Sequence, residues 1–172
     1  MKTLGFVLGL AFATLLSSCG GGGGSPGDTT LEYKLTLRAD KVRLPINISG
    51  AGPSIGTYAP YTSVLYIEAT EGGNPIIGTV EAFACNLSSG LDVGSLYYLD
   101  GKSEHEDEDG NPLAYRNITL DSNSGGNTFH FHAGATRGTA RITCTITNPR
   151  DNQVKTAVAE IVVGEAQAPA AG

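Results

Sequence analysis

From Leu31 to Gly164 apolar residues recur at every second position in short runs, and each run is stopped by a cluster of Gly, Pro, Asn or Asp. A two-residue period places successive side chains on opposite faces of an extended chain, so this pattern predicts half-buried β-strands and leaves no stretch that needs a helix. Leu31, Tyr33, Leu35 and Leu37 alternate with polar residues, as do Leu65, Ile67 and Ala69 in Ser63 to Thr70. From Gly78 to Leu87 one face collects Phe83, Cys85 and Leu87. From Thr128 to His132 one face collects Phe129 and Phe131, which turns His130 and His132 outward. In Arg141 to Thr147 the inward set is Ile142, Cys144 and Ile146; Asn148 to Asn152 makes a turn, and Val154 to Val163 returns as the last strand. About seven such strands in 172 residues make one all-β domain, a β-sandwich over 31–164.

The first 30 residues follow a different logic. Lys2 precedes a thirteen-residue apolar run, Leu4 to Leu16, which suits an export signal and falls short of the roughly 20 residues that a membrane-spanning helix needs. The run ends in Leu16-Ser17-Ser18-Cys19. This resembles the lipobox of bacterial lipoproteins, and the resemblance implies a signal peptide over 1–18, cleavage before Cys19, a diacylglyceryl group on its sulfur and acylation of the freed amine. Several acyl chains make a stable membrane anchor, because each buried methylene contributes about 0.8 kcal/mol. Gly20 stands where an Asp would resemble an inner-membrane retention signal, so the expected address is the outer membrane. Gly20 to Gly24 with Ser25, Pro26 and Gly27 reads as a tether, 19–30 overall, whose eight linker residues reach about 28 Å at most. Glu165 to Gly172 reads as a frayed tail.

Charge removes some classes of partner. Eleven basic and seventeen acidic side chains give a net charge of −6, a sign that opposes both nucleic acid and anionic lipid surfaces.

The segments LTLRADKVRLPIN (Leu35 to Asn47) followed by an alternating strand, GNPIIGTVEAF (Gly73 to Phe83), and GTARITCTITN (Gly138 to Asn148) followed by a final strand are similar to the bacterial immunoglobulin-like domains of invasin and intimin type proteins. That resemblance covers most of 31–164 and implies a Greek-key sandwich used as a spacer or adhesive module, with no catalytic residues and no cofactor. With Cys19 lipidated, Cys85 and Cys144 remain, both on inward faces of strands that are neighbours in an immunoglobulin topology. An exported pair in that position is expected to form a cross-strand disulfide; two buried thiols packing as small hydrophobes are the other reading.

Candidate chemistry is sparse. The outward pair His130 and His132 suggests a zinc or copper site, with His105 or a carboxylate completing it, against a reading as plain surface residues. Asp107-Glu108-Asp109-Gly110 resembles part of a calcium loop, but Ile118 holds the twelfth position where a bidentate glutamate belongs, and a solvated acidic turn explains the same residues. Ser88-Ser89-Gly90 lacks the strand-to-helix elbow of a nucleophile motif. The sequence therefore predicts a non-enzymatic, lipid-anchored envelope protein with a protein or envelope partner; the alternative is a metal-binding envelope protein that uses the histidine pair.

Overall fold

The computed structural model describes residues 31–56, 58–77, 82–122 and 124–164. The lipobox, its cysteine Cys19, the tether and the tail lie outside them. Ten strands build the domain: β1 (Tyr33–Ala39), β2 (Arg43–Pro45), β3 (Thr62–Glu71), β4 (Asn74–Pro75), β5 (Ala82–Ser89), β6 (Gly94–Tyr97), β7 (Asn117–Asp121), β8 (Gly126–Ala133), β9 (Gly138–Thr147) and β10 (Val154–Gly164). A single 3₁₀ turn, Ser103–His105, is the only helical piece among the described residues.

Two five-stranded sheets result. Sheet A runs β1-β3-β8-β6 with β4 added to the end of β3, and sheet B runs β2-β10-β9-β5-β7. The neighbours are antiparallel except β2 and β10. The fold is thus an all-β, immunoglobulin-like sandwich. The middle segment, Leu91 to Asn127, supplies β6 to the edge of sheet A and β7 to the edge of sheet B. Those strands have only four and five residues, too few for a two-residue period to stand out.

The alternation fills the space between the sheets. Leu65, Phe83, Phe129, Phe131, Ile142 and Ile161 are each 0% exposed, and burying a side chain of this size contributes about 1.5–3 kcal/mol. Cys85 and Cys144 are directly opposed in the β5–β9 ladder, with Cα atoms 4.0 Å apart, and are joined by a disulfide. The bond lies within sheet B and closes the stretch of chain that contains β6, β7 and β8, drawn from both sheets.

Candidate functional site

Register determines what the outer face of sheet A presents. Residues opposed across β1, β3, β8 and β6 form rows: Thr36, Glu68 and Gly126; then Arg38, Tyr66 and Thr128; then Val64, His130 and Tyr97; then Thr62, His132 and Ser95. The first two rows are open to solvent and the last two are not.

Here the expectation of solvent-facing histidines is corrected. His130 and His132 do leave the sheet on its outer side, yet they are only 8% and 7% exposed. The connection from β2 to β3 folds back over His132. His132 Nδ1 lies 2.9 Å from Thr62 Oγ1, and Nε2 lies 2.8 Å from the Ala51 carbonyl oxygen. The Asn47 amide also approaches Nε2 at 3.0 Å, but it donates to the same Ala51 carbonyl at 2.7 Å. One nitrogen cannot both donate to that carbonyl and accept from the amide, so the network assigns Nε2–H donating to Ala51 and Nδ1 accepting from Thr62. Tyr61 and Tyr97 stand edge-on to the ring. His130 Nδ1 is buried without a hydrogen-bond partner. Both nitrogens of His132 are thus hydrogen-bonded, Nδ1 to β3 and Nε2 to the connection, and among the described residues no three His, Cys, Asp or Glu side chains converge to hold a metal ion. The described residues do not gather His130, His132 and a third ligand into one cluster.

Burial lowers the pKa of both imidazoles; the Asp40 charge and the Tyr97 backbone oppose this for His130, and the Ala51 carbonyl opposes it for His132. The unfolded chain binds these protons near pH 6.5 and the folded chain only at lower pH, so stability rises with pH across that interval. The contribution is complete above about pH 6.5 and is lost on acidification. The midpoint of urea unfolding is therefore expected to be lower at pH 5.0 than at pH 7.5, and His130→Gln/His132→Gln is expected to flatten that difference. Equal wild-type midpoints at the two pH values would contradict it.

His105 sits elsewhere, at the rim of sheet A. Its ring stacks on Tyr98 at 3.8 Å between centroids, and Nδ1 lies 3.0 Å from the Asp100 carboxylate. Burial alone would raise the Asp100 pKa, but hydrogen bonds from His105 and the Lys102 amide, with the charges of both groups, hold it below the usual carboxylate value. These residues, with Asp121, Asn127 and His130, line a cleft of about 350 Å³. The acidic run beyond them is a closed turn. Asp107 Oδ1 accepts from the backbone amides of Asp109 and Asn111 and from the Asn111 side chain, and the Asn111 bonds are the leading cause of its lowered pKa. The Asp107 carboxylate thus organises a closed turn, as the reading of a solvated acidic turn has it.

A second cleft, about 640 Å³, opens over the first two rows of sheet A. In it the Arg38 guanidinium lies over the Tyr66 ring, 4.4 Å from the centroid, an arrangement that contributes about 0.5–1 kcal/mol at an exposed site. Sequence reasoning did not find this pair, because Arg38 and Tyr66 meet only through the β1–β3 register. The two clefts meet at Asn127 and Thr128.

No protein-family profile matches the chain. No curated protein matches it either. Among solved structures it is similar to a conjugate transposon protein from Bacteroides vulgatus, with 20% identity, 80% of this chain and 91% of that chain covered, and a TM-score of 0.41. It is also similar to a cupredoxin domain from Nitrosocaldus yellowstonii, with 10% identity, 83% and 96% covered, and a TM-score of 0.37. A human PKD domain aligns with 17% identity over 87% of this chain and 97% of that one, with a TM-score of 0.31.

Proposed function

We propose that this chain is a membrane-anchored lipoprotein of the bacterial cell envelope whose immunoglobulin-like domain is a non-catalytic binding or structural module. The amino-terminal pattern of Lys2, the run Leu4 to Leu16 and Cys19 followed by glycines supports the anchor, and the outer membrane is its expected address. One structural observation carries the module reading. The described chain enters at β1, where Tyr33 opposes Glu71, the last residue of β3. The connection over 46–61 leads into Thr62, the first residue of β3. Ten residues of strand, about 33 Å, separate the two poles.

At the far pole the sixteen residues 46–61 contain no charged side chain and leave Ile48, Ile55 and Tyr58 82%, 65% and 95% exposed. Large apolar side chains left in water at one pole of a domain that enters at the other suit a surface that meets a partner. His132 fastens that connection to the sheet through Ala51, so the exposed residues are presented on a held loop.

Anchoring is tested by detergent phase partition. The full-length chain expressed in a bacterium is expected in the detergent phase with incorporated fatty acid, and Cys19→Ser is expected in the aqueous phase without it. The same distribution for both would remove the lipoprotein reading, and turnover of any substrate by the purified chain would remove the non-catalytic one.

A further inference from the structure

The exposed half of sheet A carries two opposite charges that do not neutralise each other. Arg38 and Glu68 occupy adjacent rows on one face, diagonal to each other across β1 and β3, where an ion pair would be easy to form. Instead the Arg38 guanidinium lies over Tyr66, and neither charge takes part in an ion pair among the described residues. Opposite Glu68 stands Gly126, which brings no side chain. The result is a cleft of about 640 Å³ whose floor offers a flat guanidinium–ring plane, a set of N–H donors, a carboxylate acceptor and the Thr36 and Thr128 hydroxyls.

The ligand follows from that inventory. An anion would meet Glu68, a cation would meet Arg38, and nucleic acid would meet a chain of net charge −6. A neutral molecule with hydroxyls that both donate and accept, and with a C–H face to lie on the Arg38–Tyr66 plane, satisfies every group at once. Sugars have that chemistry. A peptide strand would add to a sheet edge, which here is β1, whereas Arg38, Tyr66, Glu68 and Thr128 leave the face of the sheet and β3 at the centre of this cleft is paired on both sides.

We propose that the outer face of sheet A around Arg38, Tyr66, Glu68 and Thr128 binds a segment of neutral oligosaccharide. This rests on the reading of the domain as a binding module and names what it binds. The floor is rigid because it is built on paired strands, and the Arg38 side chain is already placed on its ring, so little ordering accompanies binding.

The test uses the full-length chain in a phosphocholine detergent, which carries no sugar, applied to an array of neutral oligosaccharides of gluco, galacto, manno and N-acetylhexosamine types. Binding of at least one type is expected, with half-saturation roughly between 10 μM and 1 mM. Arg38→Ala and Tyr66→Ala should each weaken it about tenfold and Glu68→Gln about fivefold, with thermal midpoints near wild type because all three side chains are exposed. Asp121→Asn, in the other cleft, should leave binding unchanged. No bound oligosaccharide overturns the inference, as does binding indifferent to the three substitutions, or a preference for a zwitterionic triglycine probe. Phase partition of the same preparation keeps the two readings apart: a chain that stays in the detergent phase but binds no sugar retains its anchor and loses this ligand.

Discussion

Replacing Cys85 and Cys144 together by Ala is expected to lower the stability of the domain by about 4 kcal/mol, the upper figure of the chain-entropy account for a loop of this size. The bond spans 59 positions of sequence, and the enclosed chain supplies strands to both sheets, so without it the unfolded ensemble gains freedom that folding must again remove. Both sulfur atoms sit on buried residues, 2% and 0% exposed, and Ala avoids leaving a hydroxyl there without a partner. For a domain of this length the loss corresponds to a fall of roughly 12–24 °C in the thermal midpoint. Calorimetry of the oxidised chain, the reduced chain and the double variant measures it, with the reduced chain expected to match the variant. A difference under about 1 kcal/mol would show that the crosslink does not restrict the unfolded chain.

Phe131→Ala is expected to cost about 3–5 kcal/mol, as large truncations in well-packed cores do. The ring is 0% exposed on the central strand β8, between Ser63 of β3 and Leu96 of β6. Its tip fills the space that a side chain at position 94 would take: a Cβ on Gly94 would lie 2.4 Å from Phe131 Cζ and 2.3 Å from the His132 carbonyl oxygen. Gly94→Ala should therefore be destabilising too, and Phe131→Ala should not rescue it, because the His132 carbonyl remains in the way. Denaturant midpoints of the two single variants and the double give the coupling directly. A double variant as stable as Phe131→Ala alone would mean that the ring, not the backbone, is the obstacle.

The long strands were legible because each carries enough alternation to mark its buried face. Tyr33 and Leu35 in β1, Leu65 and Ile67 in β3, Phe83 and Leu87 in β5, Phe129 and Phe131 in β8 and Ile142 and Ile146 in β9 all point into the core. The short strands were not. Gly94–Tyr97 and Asn117–Asp121 are too brief to display a period, and β2 and β4 have three and two residues.

The histidines illustrate a second limit. Alternation correctly puts His130 and His132 on the face opposite the phenylalanines, but the covering of His132 depends on residues about 80 positions away, since Asn47 and Ala51 arrive over it only once the β2–β3 connection has folded back. The acidic run shows a third. Its carboxylates read as cation ligands or as a solvated turn, and only the folded geometry shows that Asp107 accepts from the amides of Asp109 and Asn111.

By itself the sequence determined the all-β class, the core faces of five of the six long strands and the inward placement of Cys85 and Cys144, because a two-residue period and turn-forming residues are local properties of the chain. Tertiary structure alone decided which strands became neighbours, that β6 and β7 went to different sheets, that a connection covered His132, and that Arg38 came to rest on Tyr66 without an acidic partner. Those outcomes depend on register and loop closure between distant segments, whose free energies are summed over the whole fold and appear in no single stretch of residues.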